Sequence, residues 1–295
     1  MRKDHPDGET RTPHKPWIVA HRGSSAYAVE NSLAACQLAA EQGVDFLEVD
    51  VRATRDHILV LHHNRGIRIG TKRYWIDKHT FSEIKKHKPS IATLEEVIQR
   101  FGDKVGFNVD IKQPAIEHYV VELFRRYRVE QPIIVDSNNF AILWRFKELY
   151  PTAMTSFYMA YVDSRDILYS IIGRILYKTL PKILKYFAPY IIVWRVKGRL
   201  IDAVSFDPPS MVNERIVEEL RSQGVLIFGA VANSERDMKK LLALGVDGIK
   251  TDRPDLAKRI INGESTYQAH LLPIRILRRI GGKVKRVLTR EVPVN

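Results

Sequence analysis

Short apolar runs separated by stretches of helical periodicity recur along this chain from Trp17 to Ile261. The runs at 17–20, 46–51, 105–111, 133–136, 153–158, 203–206, 226–231 and 247–251 are too short for helices and rich in β-branched and aromatic residues. They read as eight strands. A further run at 58–62 follows the second strand across the turn-like Thr54-Arg55-Asp56-His57 and reads as its hairpin partner. Amphipathic periodicity predicts helices at 31–42, 93–100, 115–127, 139–149, 213–222, 235–244 and 254–261, with Asn31 capping the first and a Thr93/Glu96 capping box opening the second. Strand and helix alternating eight times predict an α/β fold in which a parallel sheet closes on itself, a (β/α)8 TIM barrel.

The exception lies between the fifth and sixth strands. There Arg174, Lys178 and Lys182 recur every four residues among Ile and Leu, as in a basic amphipathic helix broken at Pro181. The stretch at 271–288 repeats that character around Gly281-Gly282. The expected organisation is a disordered tail at 1–16, a barrel at 17–262 with an insertion at about 164–199, and a basic amphipathic tail at 263–295.

Charge sharpens this division. The net charge is +13, yet eight Lys and Arg lie between Ser164 and Arg199 against Asp166 alone, and seven lie between Leu271 and Arg290 with no acid. The rest of the chain is close to neutral, so the basicity belongs to two segments. Two basic amphipathic segments suit an anionic membrane surface, and solvated faces of core-packing helices are the alternative. Neither resembles a groove-reading or base-stacking module, so nucleic acid is not expected as a partner.

With 45% hydrophobic residues over 295 positions the chain can bury a large core. The single cysteine, Cys36, allows no internal disulfide and reads as a structural thiol. The N-terminal stretch lacks the apolar centre of a signal peptide, and no stretch of about 18 apolar residues is free of charge. The expected location is cytoplasmic, peripheral on a membrane through the basic segments.

Barrel strands are buried on both faces, so polar residues at alternate positions mark a site. Glu48 and Asp50 share one face of the second strand, and Asn108, Asp110 and Lys112 share one face of the third. If these strands are neighbours, three carboxylates converge, and their repulsion calls for a cation between them. A hard divalent ion, Mg²⁺ or Ca²⁺, is the simplest resolution, and neutralisation by local Arg or Lys is the alternative. Arg22 and Lys112 suit an anionic substrate. His21 and His63 end the first strand and the hairpin and suit acid–base work near neutral pH. His62 competes with His63 for the inward position, and His57 falls in the turn as a surface residue.

His21-Arg22-Gly23, Glu30-Asn31, Glu48-Val49-Asp50-Val51, Thr54-x-Asp56, His63, Asp110-x-Lys112 and the closing Gly245-Val246-Asp247-Gly248-Ile249-Lys250-Thr251-Asp252-x-Pro254 occur in one order along the chain. Together they resemble the glycerophosphodiester phosphodiesterases, over Trp17 to about Ile261. The resemblance implies a barrel with a divalent metal at Glu48, Asp50 and Asp110, an acid–base pair at His21 and His63, and phosphate contacts from Arg22 and Lys112. It implies hydrolysis of a glycerophosphodiester with release of the head-group alcohol, in which the substrate's own 2-hydroxyl can attack to give a cyclic phosphate. Asn31 has a sufficient structural role as a helix cap.

Three positions depart from the family pattern. Asn64 stands where Asp usually follows the second histidine, Asp110 where the third ligand is usually Glu, and Ala230 where a Trp is usual. Asp is also the third ligand in the related spider-venom phospholipases D. Loss of the Trp implies a wider pocket. A basic insertion at the barrel mouth points to a lysophospholipid substrate at a membrane surface, with soluble glycerophosphodiesters as the other candidate. Asn64 and Ala230 also motivate a different class, a non-catalytic membrane-surface binding protein on a degenerate barrel.

Overall fold

Each barrel strand finds a partner on both sides, so the apolar runs assemble into a closed sheet. The computed structural model describes residues 15–160 and 201–264. Its strands are β1 (Trp17–Ala20), β2 (Phe46–Ala53), β3 (Leu59–Leu61), β4 (Gly66–Ile69), β5 (Lys72–Trp75), β6 (Gly106–Ile111), β7 (Ile133–Ser137), β8 (Met154–Ala160), β9 (Ala203–Asp207), β10 (Leu226–Gly229) and β11 (Gly248–Thr251). Its α-helices are α1 (Leu33–Glu41), α2 (Phe81–His87), α3 (Leu94–Phe101), α4 (Glu117–Arg126), α5 (Phe140–Leu149), α6 (Glu214–Ser222), α7 (Glu235–Ala243) and α8 (Pro254–Ile261). Parallel pairing runs β1–β2–β6–β7–β8–β9–β10–β11 and returns to β1, which closes an eight-stranded barrel. β3 adds antiparallel to the end of β2, with Val51 opposite Leu61.

The eight expected barrel strands stand within two residues of where the apolar runs place them. The basic stretches at 164–199 and 271–290, and the tail up to residue 14, lie outside the described residues. Among the described residues no helix is long and apolar enough to cross a membrane.

Alternation sorts each strand's side chains into lumen and outer face, and the lumen fills in layers. At the bottom, Val19, Phe46, Ile134, Ala203, Leu226 and Phe228 pack as an apolar plug. Trp17 closes it, stacked on Phe228 at 6.0 Å and edge-on to Phe46 at 5.5 Å. One step up the same strand faces become polar, with Glu48, Asn108, Asp136, Ser156, Ser205 and Lys250 all buried. Asp50 and Asp110 stand a further step up, at the C-terminal mouth. The outer faces bury Leu47, Val49, Val109, Val135 and Ile227 against the helices in one continuous core, each large apolar side chain contributing about 1.5–3 kcal/mol.

Helix starts follow local chemistry. Thr93 and Glu96 form the expected capping box on α3, and Asn139 and Asn213 cap α5 and α6, each cap stabilising by about 1 kcal/mol. The first helix departs from expectation. Its N-cap is Ser32, whose Oγ accepts from Ala35 N at 3.2 Å. Asn31 instead takes φ +55° and turns its amide into the barrel.

The segment between β3 and α3 holds elements that the apolar pattern does not announce. β4 and β5 form a hairpin whose first loop residue, Gly70, has φ +58°, the conformation a type II′ turn needs there. α2 is opened by a second capping box, Thr80 with Glu83. These strands carry Arg68, Lys72 and Arg73 on exposed faces, so alternation in them is weak.

Candidate active site

The register places the chemistry. Pairing of β2 with β6 sets Glu48 beside Asn108 and Asp50 beside Asp110, on strands about 4.8 Å apart. One oxygen from each of Glu48, Asp50 and Asp110 lies within 4.8 Å of the other two, and all three residues are buried. β1 ends between β2 and β11, so His21 and Arg22 emerge next to Glu48 on one side and Asp252 on the other.

The His21-Arg22-Gly23 turn is shaped by backbone geometry. Arg22 has φ +56° and Gly23 φ +79°, and a Cβ on Gly23 would fall 2.6 Å from the Ala35 carbonyl carbon. This turn aims the Arg22 N–H at Glu48 Oε2, 2.6 Å away. The Arg22 guanidinium reaches Asp50 Oδ2 at 3.0 Å and Glu30 Oε2 at 2.7 Å. Lys112 Nζ lies 3.0 Å from Asp50 Oδ1 and 2.5 Å from Asp110 Oδ2. Asn31 Nδ2 donates to Asp50 Oδ2 at 2.8 Å, and its Oδ1 accepts from Asp50 N at 3.0 Å. Asn31 is therefore a brace for a buried carboxylate, a role that the cap reading missed.

These contacts divide the three acids. Burial opposes the charge on Asp50, but Lys112, Arg22 and the Asn31 amide outweigh it and hold its pKa well below the usual carboxylate range. Burial and the Asp50 charge push Glu48 up to about 7. Burial likewise raises Asp110 against the pull of Lys112. Arg22 and Lys112 thus neutralise part of the cluster and leave Glu48 without a full counter-charge. Three hard oxygen donors in this state fit a hard divalent cation. With one bound, the three ionised carboxylates, the two basic residues and the ion would carry one net positive charge.

The two histidines sit in different surroundings. His21 Nδ1 lies 2.7 Å from Asp252 Oδ1. Asp252 is itself held by Ser25 Oγ at 2.8 Å and Asn233 Nδ2 at 2.5 Å. Burial disfavours charge on His21, but the Asp252 hydrogen bond and the Glu48 charge outweigh it, and the imidazole pKa is raised. Asp252 opens the loop after the last barrel strand, inside the closing motif. Its partnership with His21 across 231 residues has no sequence signal beyond that position.

His63 is fixed through its backbone carbonyl, which accepts from Arg52 Nε at 3.0 Å and Nη2 at 2.8 Å. Among the described residues its Nδ1 finds only Asn64 Oδ1, at 3.4 Å. Burial and the facing charges of Lys112 and Arg22 lower its pKa against the pull of Asp50. His62 turns away, with Nδ1 2.9 Å from Asn64 O. His57 is exposed in its turn and stacks on Tyr119 at 4.9 Å. Cys36 is fully buried, and burial pushes its thiol up to about 12, as suits a structural residue.

In the lumen layer of Glu48 lies a buried pair that alternation flagged on neither strand. Lys250 Nζ contacts Asp136 Oδ2, Asp136 is also approached by Ser205 Oγ, and Ser205 meets Ser156 at 3.0 Å. The Tyr158 ring lies near two ammonium groups, 5.8 Å from Lys112 Nζ and 5.6 Å from Lys250 Nζ, and its hydroxyl donates to Asp207 at 2.6 Å.

Known proteins match this arrangement in sequence and in fold. YhdW of Bacillus subtilis is 31% identical over 81% of this chain and 95% of its own length. The glycerophosphodiester phosphodiesterase of Caldanaerobacter subterraneus is 28% identical over 82% of this chain and 96% of its own. Among solved structures, an Oleispira antarctica phosphodiesterase in complex with the product sn-glycerol-3-phosphate superposes with a TM-score of 0.64 at 23% identity, covering 84% of this chain and 97% of that one. The glycerophosphodiester phosphodiesterase of Thermotoga maritima superposes with a TM-score of 0.65 at 24% identity, covering 84% and 99%. The family signature itself spans residues 21–256, from His21 past Asp252, and the chain belongs to the glycerophosphoryl diester phosphodiesterase family.

Proposed function

We propose that this protein hydrolyses glycerophosphodiesters, with Glu48, Asp50 and Asp110 as ligands of a divalent metal, Mg²⁺ or Ca²⁺, and with His21 and His63 as the acid–base pair. The observation that carries the reading is the convergence of three buried carboxylates, two basic residues and two histidines in unlike environments on one barrel mouth. A degenerate, non-catalytic barrel would have no need to keep them together.

Arg22 and Lys112 stand beside the carboxylates and exchange part of their ion pairing for the non-bridging oxygens of the substrate phosphate. Glu48, Asp50 and Asp110 would hold a divalent ion, which when bound would supply Lewis-acid stabilisation of the charge that develops on those oxygens. His63, held neutral by burial and nearby cations, takes the proton of the attacking oxygen, whether a water or the substrate's 2-hydroxyl. His21, kept protonated by Asp252, gives its Nε2 proton to the departing head-group oxygen as that P–O bond breaks. The Oleispira relative retains sn-glycerol-3-phosphate as product, which matches cleavage on the head-group side of phosphorus.

The finer reading is a lysophospholipid substrate at an anionic membrane surface, supported by the two basic amphipathic segments of the sequence. The test is release of choline from glycerophosphocholine and from lysophosphatidylcholine, with and without phosphatidylglycerol vesicles, before and after treatment with a chelator. Chelation is expected to stop both reactions and added Mg²⁺ or Ca²⁺ to restore them, with the lipid turned over faster on vesicles. Activity indifferent to chelation would sink the metal assignment, and faster turnover of the soluble diester would sink the lipid reading.

Asn64 offers a second check. Asn64→Asp puts a carboxylate against His63 Nδ1, which favours the charged imidazole and raises its pKa. Because His63 must be neutral to act as base, the acidic limb of the pH profile of kcat/KM is expected to move to higher pH. An unmoved limb would mean that His63 is not the base.

A further inference from the structure

We propose that a basic cavity beside His63 binds a second anionic group of the substrate, a phosphate carried on the part of the diester that extends past His63. The inference rests on the diesterase reading above and names the substrate class that this site prefers.

The β4–β5 hairpin and the end of α2 border an open cavity of 660 Å³, lined among others by Asn64, Arg65, Arg68, Arg73, Trp75 and Lys88. Among the described residues no carboxylate lines it. Arg65 is neutralised by Asp77 at 2.8 Å, whereas Arg68, Arg73 and Lys88 make no ion pair among the described residues. Three uncompensated cations around one concavity repel each other and focus a field that an entering anion relieves. The groups are also held in place. The guanidinium of Arg73 lies 5.1 Å from the centre of the Trp75 ring and that of Arg65 5.5 Å from it, a cation–π arrangement that orients Arg73. His87, also in the lining, stacks on Tyr74 at 3.7 Å. Lys88 is half-buried, and burial lowers its pKa against the pull of Glu30. A partly desolvated ammonium without a contacting carboxylate gains most from an anionic ligand.

The cavity adjoins the chemistry through one residue. Asn64 lines it and also contacts His63 Nδ1 at 3.4 Å, and His62, the residue before His63, lines it as well. A substrate bound by its scissile phosphate at Arg22 and Lys112 and extending past His63 therefore meets these cations. A phosphate anion suits three separated donors better than a neutral hydroxyl group does.

A matched pair of substrates tests this. Bis(glycerophospho)glycerol carries a second phosphate that glycerophosphoglycerol lacks, and the two are otherwise alike at the scissile bond. Wild-type kcat/KM is expected to favour the bisphosphate by about tenfold or more, the effect of one or two charge-assisted hydrogen bonds. The double variant R73A/K88A is expected to lose that preference and keep its rate on glycerophosphoglycerol, which also reports correct folding. Equal wild-type rates on the two substrates, or a preference that survives in R73A/K88A, would overturn the proposal. If neither substrate is hydrolysed the diesterase reading has failed, and calorimetric titration with glycerol 2-phosphate decides the cavity separately. Binding at least tenfold weaker in R73A/K88A supports the site, and absent or unchanged binding overturns it. Co-sedimentation with phosphatidylglycerol vesicles that depends on Arg73 and Lys88, without binding of glycerol 2-phosphate, assigns the patch to a membrane surface and likewise overturns it.

Discussion

Asp50→Asn is expected to reduce kcat/KM by roughly 10³-fold, the several kcal/mol of transition-state stabilisation that a bound divalent ion supplies. Asp50 is the hub of the site, since both Arg22 and Lys112 pair with it at 3.0 Å and Asn31 bonds its carboxylate and its N–H. It is also the acid whose pKa is driven down, so it carries its charge throughout the working pH range. The amide preserves shape and removes that charge, leaving two partly buried cations to repel each other and any incoming metal ion. The loss should appear in a second observable. Mg²⁺ or Ca²⁺ is expected to stabilise wild type by mass action and raise its Tm, whereas the Tm of Asp50→Asn should not respond to either ion. A variant with near-normal turnover and a normal metal-dependent rise in Tm would remove Asp50 from the ligand set.

His21→Ala is expected to lower kcat/KM by about 10²–10⁴-fold, the usual contribution of a positioned general acid. The informative companion is Asp252→Asn, because Asp252 touches the imidazole and acts through it. Asp252 has its own pKa held down to about 2, where burial is outweighed by His21, Ser25 and Asn233. It therefore stays ionised under any assay condition and favours the imidazolium. Its amide withdraws that support, so the His21 pKa falls and the basic limb of the kcat/KM profile shifts to lower pH. A structural role for Asp252 would reduce the rate without moving the limb. Rescue of Asp252→Asn at lower pH, with no rescue of His21→Ala, separates the two residues.

The fold was legible because it rests on short-range regularities. Eight apolar runs, each bounded by a turn and followed by a helical period, have few ways to bury both faces, and a closed parallel barrel is one of them. The hairpin at 66–75 escaped this reading because its strands are exposed and basic, so it offered no period of two to detect. Asn31 was misread for a different reason. Asparagine serves equally as a helix cap or as a brace for a buried carboxylate, and a better cap, Ser32, stood one position along. Distinguishing the two requires knowing where Asp50 lies.

The same division holds for the site. Period-two alternation is a property of a single strand, so the sequence by itself determined that Glu48 with Asp50, and Asp110 with Lys112, project to common faces. It also marked His21, Arg22 and His63 as residues at strand ends. The tertiary structure alone decided that Asp50 and Asp110 are lateral neighbours, that Asp252 rather than a nearby residue supports His21, and that Lys250 finds Asp136 in the lumen. It likewise decided that the basic hairpin borders a cavity next to His63. The barrel contacts depend on lateral strand register or on closure between β1 and β11, and they join residues far apart in the chain whose partnership leaves no periodic trace in either segment, whereas the cavity depends on how an exposed hairpin folds back within residues 62–88.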